Sequence, residues 1–401
     1  MQQDAVPTLG RRTTIALLIL CLSLQAVGAG ALALFLPALR EDLGLSFTQA
    51  GTLAASSTLI YALTQIPAGY LADRFGPKRV FFIGILGTTA LVLAFGLVSL
   101  YWQALANRTI SGFFRALLFA PGMALVTSWY SRERRATAMG LYLLGMVGGQ
   151  MFLYLVGPWL VTEFDWRFPF ITFGALGVLI SLAYMQFGKE APSTGSQQTV
   201  KMSDVFKLFR SWFMWACGGI QYARLSINTG IMFWLPTFLI VDRGLSLQVT
   251  GLIIALRTLL IAPSSLIGGY ISDKLRNPPL VIGFSFVVLA TTTALFVAVD
   301  NIVLLVGLIA INSLFVNCYF GPLFALPLDV LGSQAEGTTT GFGNFLANLG
   351  GFTFTYLLGA LRDSSGSFES GFYAIAGAAV VGLIFTILVA RVRRNTAALN
   401  G

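Results

Sequence analysis

The sequence predicts an all-α membrane protein, with twelve transmembrane helices arranged as two pseudo-symmetric six-helix halves. Three observations carry that prediction. First, 56% of the 401 residues are hydrophobic and only 10% are charged, whereas a soluble surface needs about 25% charged residues; the mean hydropathy is +0.80. Second, twelve apolar runs approach or exceed the ~20 residues that a helix needs to cross about 30 Å of hydrocarbon with its backbone polar groups satisfied. Third, the charged turn GYLADRFGPKRV at 69–80 returns in a looser form, GYISDKLRNPPL, at 269–280, so that Asp73 and Asp273 stand 200 residues apart.

In chain order the runs lie at 13–38, 47–72, 80–99, 102–129, 136–161 and 169–188, then at 212–240, 247–272, 280–298, 302–328, 338–361 and 370–390. A β-barrel would need strands of about ten residues with alternating polarity, and these runs are too long and too uniform. The first run follows Arg11 and Arg12 and carries the small residues AVGAGALA, as a signal peptide would. Its apolar stretch is about twice a typical signal core, so it is expected to remain a helix. Cys21, Cys217 and Cys318 fall inside runs at spacings that suit neither a disulfide framework nor a metal site. They are expected to pack as small apolar residues, and no cofactor or metal is expected.

The charge pattern orients the chain. With the N-terminus placed in the cytoplasm, 17 of the 25 basic residues fall on that side, in clusters such as Arg132, Arg134, Arg135 and Arg391, Arg393, Arg394. The other side holds only Arg40, Arg167, Arg243 and Arg362. The positive-inside rule therefore places both termini in the cytoplasm of what is expected to be a bacterial inner-membrane protein. The net charge of +9 follows from these loops, and no nucleic-acid partner is implied. The polar stretch GKEAPSTGSQQTVKMSDVFKLFRS at 188–211 is the long interruption between runs. It divides the chain into an N-terminal bundle (1–188), a cytoplasmic linker (189–211) with VFKLFR as a candidate amphipathic helix, and a C-terminal bundle (212–401).

The repeated turn resembles the signature of the major facilitator superfamily between helices 2 and 3, a pattern G-x-L-a-D-r-x-G-r-k. Here it is supplied by Gly69, Leu71, Ala72, Asp73, Arg74, Gly76, Lys78 and Arg79, with Pro77 at a position that is often basic. The second copy keeps Gly269 and Asp273 and has Arg276 at the other glycine position. The resemblance covers essentially the whole chain and implies the superfamily fold and a carrier whose two halves enclose a central site. It also implies a gating role for Gly69, Asp73, Arg74, Gly76, Lys78, Arg79 and Asp273; the plainer alternative is a basic anchor at the membrane surface. Arg108 with Gly112 matches the family pattern R-x-x-x-G in the fourth span, as a gating or a helix-packing residue.

Cargo must be read from charges inside the runs, each of which costs at least ~2.5–3.5 kcal/mol at the bilayer centre. There are four: Arg108 and Arg115 in run 4, Arg224 in run 7 and Arg257 in run 8. No acid or lysine sits in the middle of a run, and the chain has no histidine. Guanidinium groups without internal carboxylates call for anionic cargo, and their planar fork suits a carboxylate. A small organic anion, a mono- or dicarboxylate, is therefore the expected substrate, held by Arg257, Arg115 and Arg224. Arg257 resembles the substrate arginine of the superfamily's anion carriers, and Arg115 stands where many of its proton symporters carry a glutamate.

Gln25, Tyr61, Tyr142, Tyr222, Asn228, Asn317, Asn344 and Asn348 are candidate polar neighbours, or else packing residues. GLYLLGMVGGQ in run 5 and GFGNFLANLGG in run 11 place small residues at helical spacing, as sliding helices require. Met146 follows Gly145 where drug antiporters of the superfamily have proline, which weighs against a proton-linked drug exporter. An enzyme finds no acid pair, nucleophile–base pair or metal cluster. A receptor or scaffold would not need four buried arginines. The expected partners are the anion, membrane lipids, and either a co-transported proton or a counter-anion, for a protein acting as a monomer. Without an internal histidine or carboxylate, exchange, uniport or a proton riding on the substrate is favoured over a relay through Asp329 or Glu336.

Overall fold

A backbone amide or carbonyl cannot be left bare in hydrocarbon, and the chain answers with helices throughout. A computed structural model describes residues 8–130, 134–189, 212–323 and 336–400; the expected VFKLFR helix and Asp329 lie outside them. Among the described residues there are fourteen helices and no strand. They are α1 (Thr8–Leu34), α2 (Leu36–Asp42), α3 (Phe47–Phe75), α4 (Pro77–Phe95), α5 (Tyr101–Ala116), α6 (Phe119–Ser128), α7 (Arg135–Glu163) and α8 (Arg167–Phe187). After the linker come α9 (Trp212–Val241), α10 (Leu247–Leu275), α11 (Pro278–Ala298), α12 (Ile302–Phe315), α13 (Glu336–Ser365) and α14 (Glu369–Asn400).

The count departs from twelve in two ways. Runs 1 and 4 are each split, into α1 and α2 at Phe35 and into α5 and α6 at Leu117–Leu118, and run 10 is broken at 316–319, after α12, with a further helical turn at 320–323. Among the described residues ten stretches are long and apolar enough to cross a membrane. The expected runs inside α3 and α13 are not among those ten, because Ser, Thr, Gln, Asn and Gly dilute their apolarity.

The described residues cluster into two compact units, one of residues 8–45, 59–189 and 247–255, the other of 46–58, 212–246 and 256–400. In the first, Leu18 and Cys21 of α1, Phe81 and Ile85 of α4, Leu125 of α6, Tyr142 of α7 and Tyr184 of α8 form a buried core. Glycine sets the helix spacing: a Cβ on Gly149 would collide with the Ser23 carbonyl of α1. Across the same contact the Ser23 hydroxyl donates to the Gly145 carbonyl at 2.7 Å. In the second unit Gly350 of α13 presses on the Tyr222 carbonyl of α9 in the same manner. Both glycines belong to the small-residue stretches noted above, 201 residues apart (350 − 149).

The start of α3 belongs to the second unit and is fully capped. Ser46 and Gln49 form a reciprocal capping box, each side chain accepting the other's amide at 3.1 and 3.0 Å. The two remaining free amides, of Phe47 and Thr48, donate to the Asp363 carboxylate of α13 at 3.0 and 2.7 Å, and the Thr48 hydroxyl adds a third bond at 2.6 Å. Beside them Arg362 pairs with Asp242 at 2.9 Å and lies over the Phe47 and Phe368 rings. Trp234 packs on the Phe47 ring and donates to the Thr355 carbonyl at 2.9 Å.

Two repeated turns keep a positive φ at the matching position of each copy. Gly44 and Gly244, each opening a Gly-Leu-Ser, have φ of 61° and 65°. Gly76 of the charged turn has φ 85° and ψ 142° and caps α4, whereas Arg276, at the matching position of the second copy, has φ 50° and is followed by Asn277 as the cap of α11; it is the one left-handed non-glycine residue among those described. A left-handed arginine costs about 1 kcal/mol.

Arg276→Gly should therefore raise the melting temperature by about 1–2 °C, and Gly76→Arg should lower it by about 3 °C, read by tryptophan fluorescence of the purified protein. Burial raises the Asp363 carboxyl pKa, but the hydrogen bonds from Thr48, Phe47 and Ser46 outweigh it and hold the group below its ordinary value. A lowered folded pKa stabilises above the unfolded value of about 3.9 and is lost as pH falls through the folded one. Asp363→Ala should cost about 2 °C at pH 7, and the gap to the parent protein should close below about pH 4.

Candidate functional site

Each unit holds two of the four arginines. In the first, Arg108 and Arg115 lie seven residues apart on α5, on one face of the helix. Arg108 is 4% exposed, its guanidinium stands 5.7 Å over the Phe95 ring, and its Nε has no hydrogen-bond partner. Among the described residues no carboxylate pairs with it. Arg115 sits in the last turn of α5 with its guanidinium 5.5 Å over the Tyr61 ring of α3. The helix stops one residue later, because Pro121 cannot donate to the Leu117 carbonyl and its ring crowds that position. Tight bonds take over there, from Leu117 to Phe114 and from Leu118 to Arg115 at 3.1 and 3.2 Å.

The second unit repeats this design in run 10. α12 ends at Phe315, residues 316–319 form a turn, and helix resumes at Phe320 ahead of Pro322. The sequences around the two breaks, LFAPGMAL from 118 and YFGPLFAL from 319, are themselves a repeat. Arg224 of α9, 6% exposed, faces this break with its guanidinium 5.1 Å over the Phe320 ring. Its Nε donates to the Gln221 Oε1 at 2.9 Å. Asn228, one turn further along α9, accepts a 3.4 Å bond from Nη2 of Arg257, which is 3% exposed on α10. Gln221, Arg224 and Asn228 thus form one stripe at i, i+3 and i+7 that ties both arginines of this unit to α9.

The other candidates differ in setting. Tyr61, Gln25, Tyr222, Asn317, Asn344 and Asn348 are half-buried, whereas Tyr142 is fully buried in the packed core of the first unit. Asn348 spends its amide on the Asn344 carbonyl at 2.8 Å, and Asn317 lies within the run-10 break, where its carbonyl accepts the Phe320 amide at 3.0 Å. In the charged turns Asp73, Arg74, Arg79 and Asp273 are exposed. Lys78 donates to the Gly188 carbonyl and Arg74 lies over Phe75. An added Cβ on Gly69 meets nothing within 4 Å, so no neighbouring helix presses on that glycine among the described residues.

Gln221, Phe320 and Phe95 were not among the sequence candidates, although the i, i+3, i+7 stripe on α9 was available as a signal. The contrast with the helix ends is sharp. There arginine meets carboxylate, Arg167 with Asp42 at 2.8 Å, Arg243 with Asp300 at 3.0 Å and Arg362 with Asp242 at 2.9 Å. Arg108 and Arg224 have only aromatic faces and one amide. Such sites can receive a small planar anion and supply its counter-charge.

Known proteins bear on this geometry. A family model described as Major Facilitator Superfamily matches residues 18–355. The chain is 23% identical to a D-galactonate transporter of Escherichia coli O6:H1 over 97% of this chain and 98% of that one. It is 27% identical to a hexuronate transporter of Bacillus subtilis, over 90% of each. Among solved structures, an inward-facing, unoccupied bacterial homolog of the human lysosomal transporter Spinster superposes with a TM-score of 0.79 at 17% identity, covering 97% of each chain, a likeness of fold.

Proposed function

The chain belongs to the major facilitator superfamily and is an integral membrane protein, and from that premise we propose that it carries a small organic anion, a carboxylate of the sugar-acid class, across the cytoplasmic membrane by alternating access. The observation that carries this reading is the pair Arg108 and Arg224, buried guanidinium groups with no carboxylate partner among the described residues. Arg257, held by Asn228, and Arg115, over Tyr61, complete the anion-binding set. Relatives named for D-galactonate and hexuronate transport support the substrate class. The half-buried amides and Tyr61 are suited to bond the hydroxyls of such a substrate.

In this reading all twelve runs span the bilayer, the two six-helix halves at 1–188 and 212–401 rock about the site, both termini are cytoplasmic, and the charged turns gate the inner mouth. Arginine stays protonated at any cellular pH, so the site cannot discharge itself. Exchange for a second anion, uniport, or a proton bound to the substrate therefore fits better than an internal relay. A proton symporter working through Asp329 or Glu336 is the second reading, as is, for a different cargo, a proton-linked exporter.

Arg257→Gln should weaken anion binding by at least ~30-fold, since removing one partner of a buried charged contact costs about 2 kcal/mol or more, measured by uptake into proteoliposomes. Unchanged uptake would remove Arg257 from the site. In the same vesicles, an inward pH step without internal counter-anion should drive little accumulation if the protein exchanges anions. Strong accumulation would support symport.

A further inference from the structure

Arg224 differs from the other intramembrane arginines in how it is held. Its Nε is taken by Gln221 at 2.9 Å, and one face of the guanidinium is covered by the Phe320 ring at 5.1 Å. Gln221 is itself 4% exposed. Its side chain lies against α13 at Gly343, where an added Cβ would stand 3.4 Å from Cγ and 3.5 Å from Nε2. An arginine has five N–H donors, and with Nε engaged the four Nη hydrogens remain. None of them meets a protein acceptor among the described residues. The side-on fork, Nε with Nη2, is engaged through Nε, and the end-on fork, Nη1 with Nη2, has no protein acceptor among the described residues.

We propose that Gln221 and Phe320 are positioning residues that aim the end-on fork of Arg224 at a substrate carboxylate. This rests on the anion-carrier reading above. The identity of the residue matters as much as its reach. A glutamine oxygen accepts the Nε proton without cancelling the arginine charge, whereas a glutamate of the same length would form a buried ion pair and supply the counter-charge that the cargo should bring. Gln221 rests against α13 at Gly343, and the run-10 break ahead of Pro322 places Phe320 under the guanidinium.

The test uses the purified full-length protein and a panel of D-galactonate, D-glucuronate and acetate, with affinity read from the anion-dependent shift in melting temperature. Arg224→Gln serves as the reference. Gln221→Glu should keep or raise the melting temperature without anion, yet weaken binding by about 30-fold. Gln221→Met, which keeps the volume and loses the acceptor, should weaken it by about tenfold, as should Phe320→Leu, and neither should weaken it further when combined with Arg224→Gln. A merely structural Gln221 would lower the melting temperature and leave affinity unchanged, which overturns the proposal. If Arg224→Gln lowers affinity and both Gln221 variants bind as the parent does, positioning is wrong and the anion site survives. If Arg224→Gln binds normally, or no panel member binds the parent protein, the reading beneath the proposal is wrong as well.

Discussion

A polar group in hydrocarbon must find its partner within the protein, and most features of this chain follow from how each one does so. The backbone is satisfied by helices. Buried hydroxyls turn back on their own helix: Thr88, Ser181, Ser226, Thr292 and Thr355 each donate to the carbonyl four residues earlier, at 2.6–2.8 Å. Each spends its one proton locally and leaves no donor for a ligand. A guanidinium is too large, and has too many donors, to be satisfied that way. Among the described residues Arg108 and Arg224 remain as buried charges with no carboxylate beside them, which is why the functional argument converges on them.

The helices were legible because run length and apolarity report directly on the bilayer. That signal averages over interruptions, so it passed over the breaks at Leu117–Leu118 and 316–319 even though Pro121 and Pro322 mark both. Small and polar residues weaken that signal in α3 and α13, where they also serve close packing and side-chain bonding. The arginines stood out because a charge in an apolar run has few innocent explanations. Gln221 did not, since a lone amide in a helix reads the same whether it bonds its own backbone or steers a neighbour.

Fine capping was least legible. Asp363 lies 315 residues from Thr48 in the chain, and no local pattern links a carboxylate at the end of one helix to two bare amides at the start of another. The capping box at Ser46 and Gln49 is a local pattern, but it answers for only part of that helix end. The remaining amides identify the role of Asp363 once the fold has brought the two helices together.

Arg276 keeps a positive φ that its own side chain disfavours. Under the proposed two-half organisation, drift has exchanged the residue and kept the positive φ between two helices, even though one more residue, Asn277, has entered the turn. Backbone angles are then the slower clock. A motif that looks half erased when its letters are compared can still be intact in the path of the chain, and the oldest symmetry of such a protein is better sought in its dihedral angles than in its alphabet.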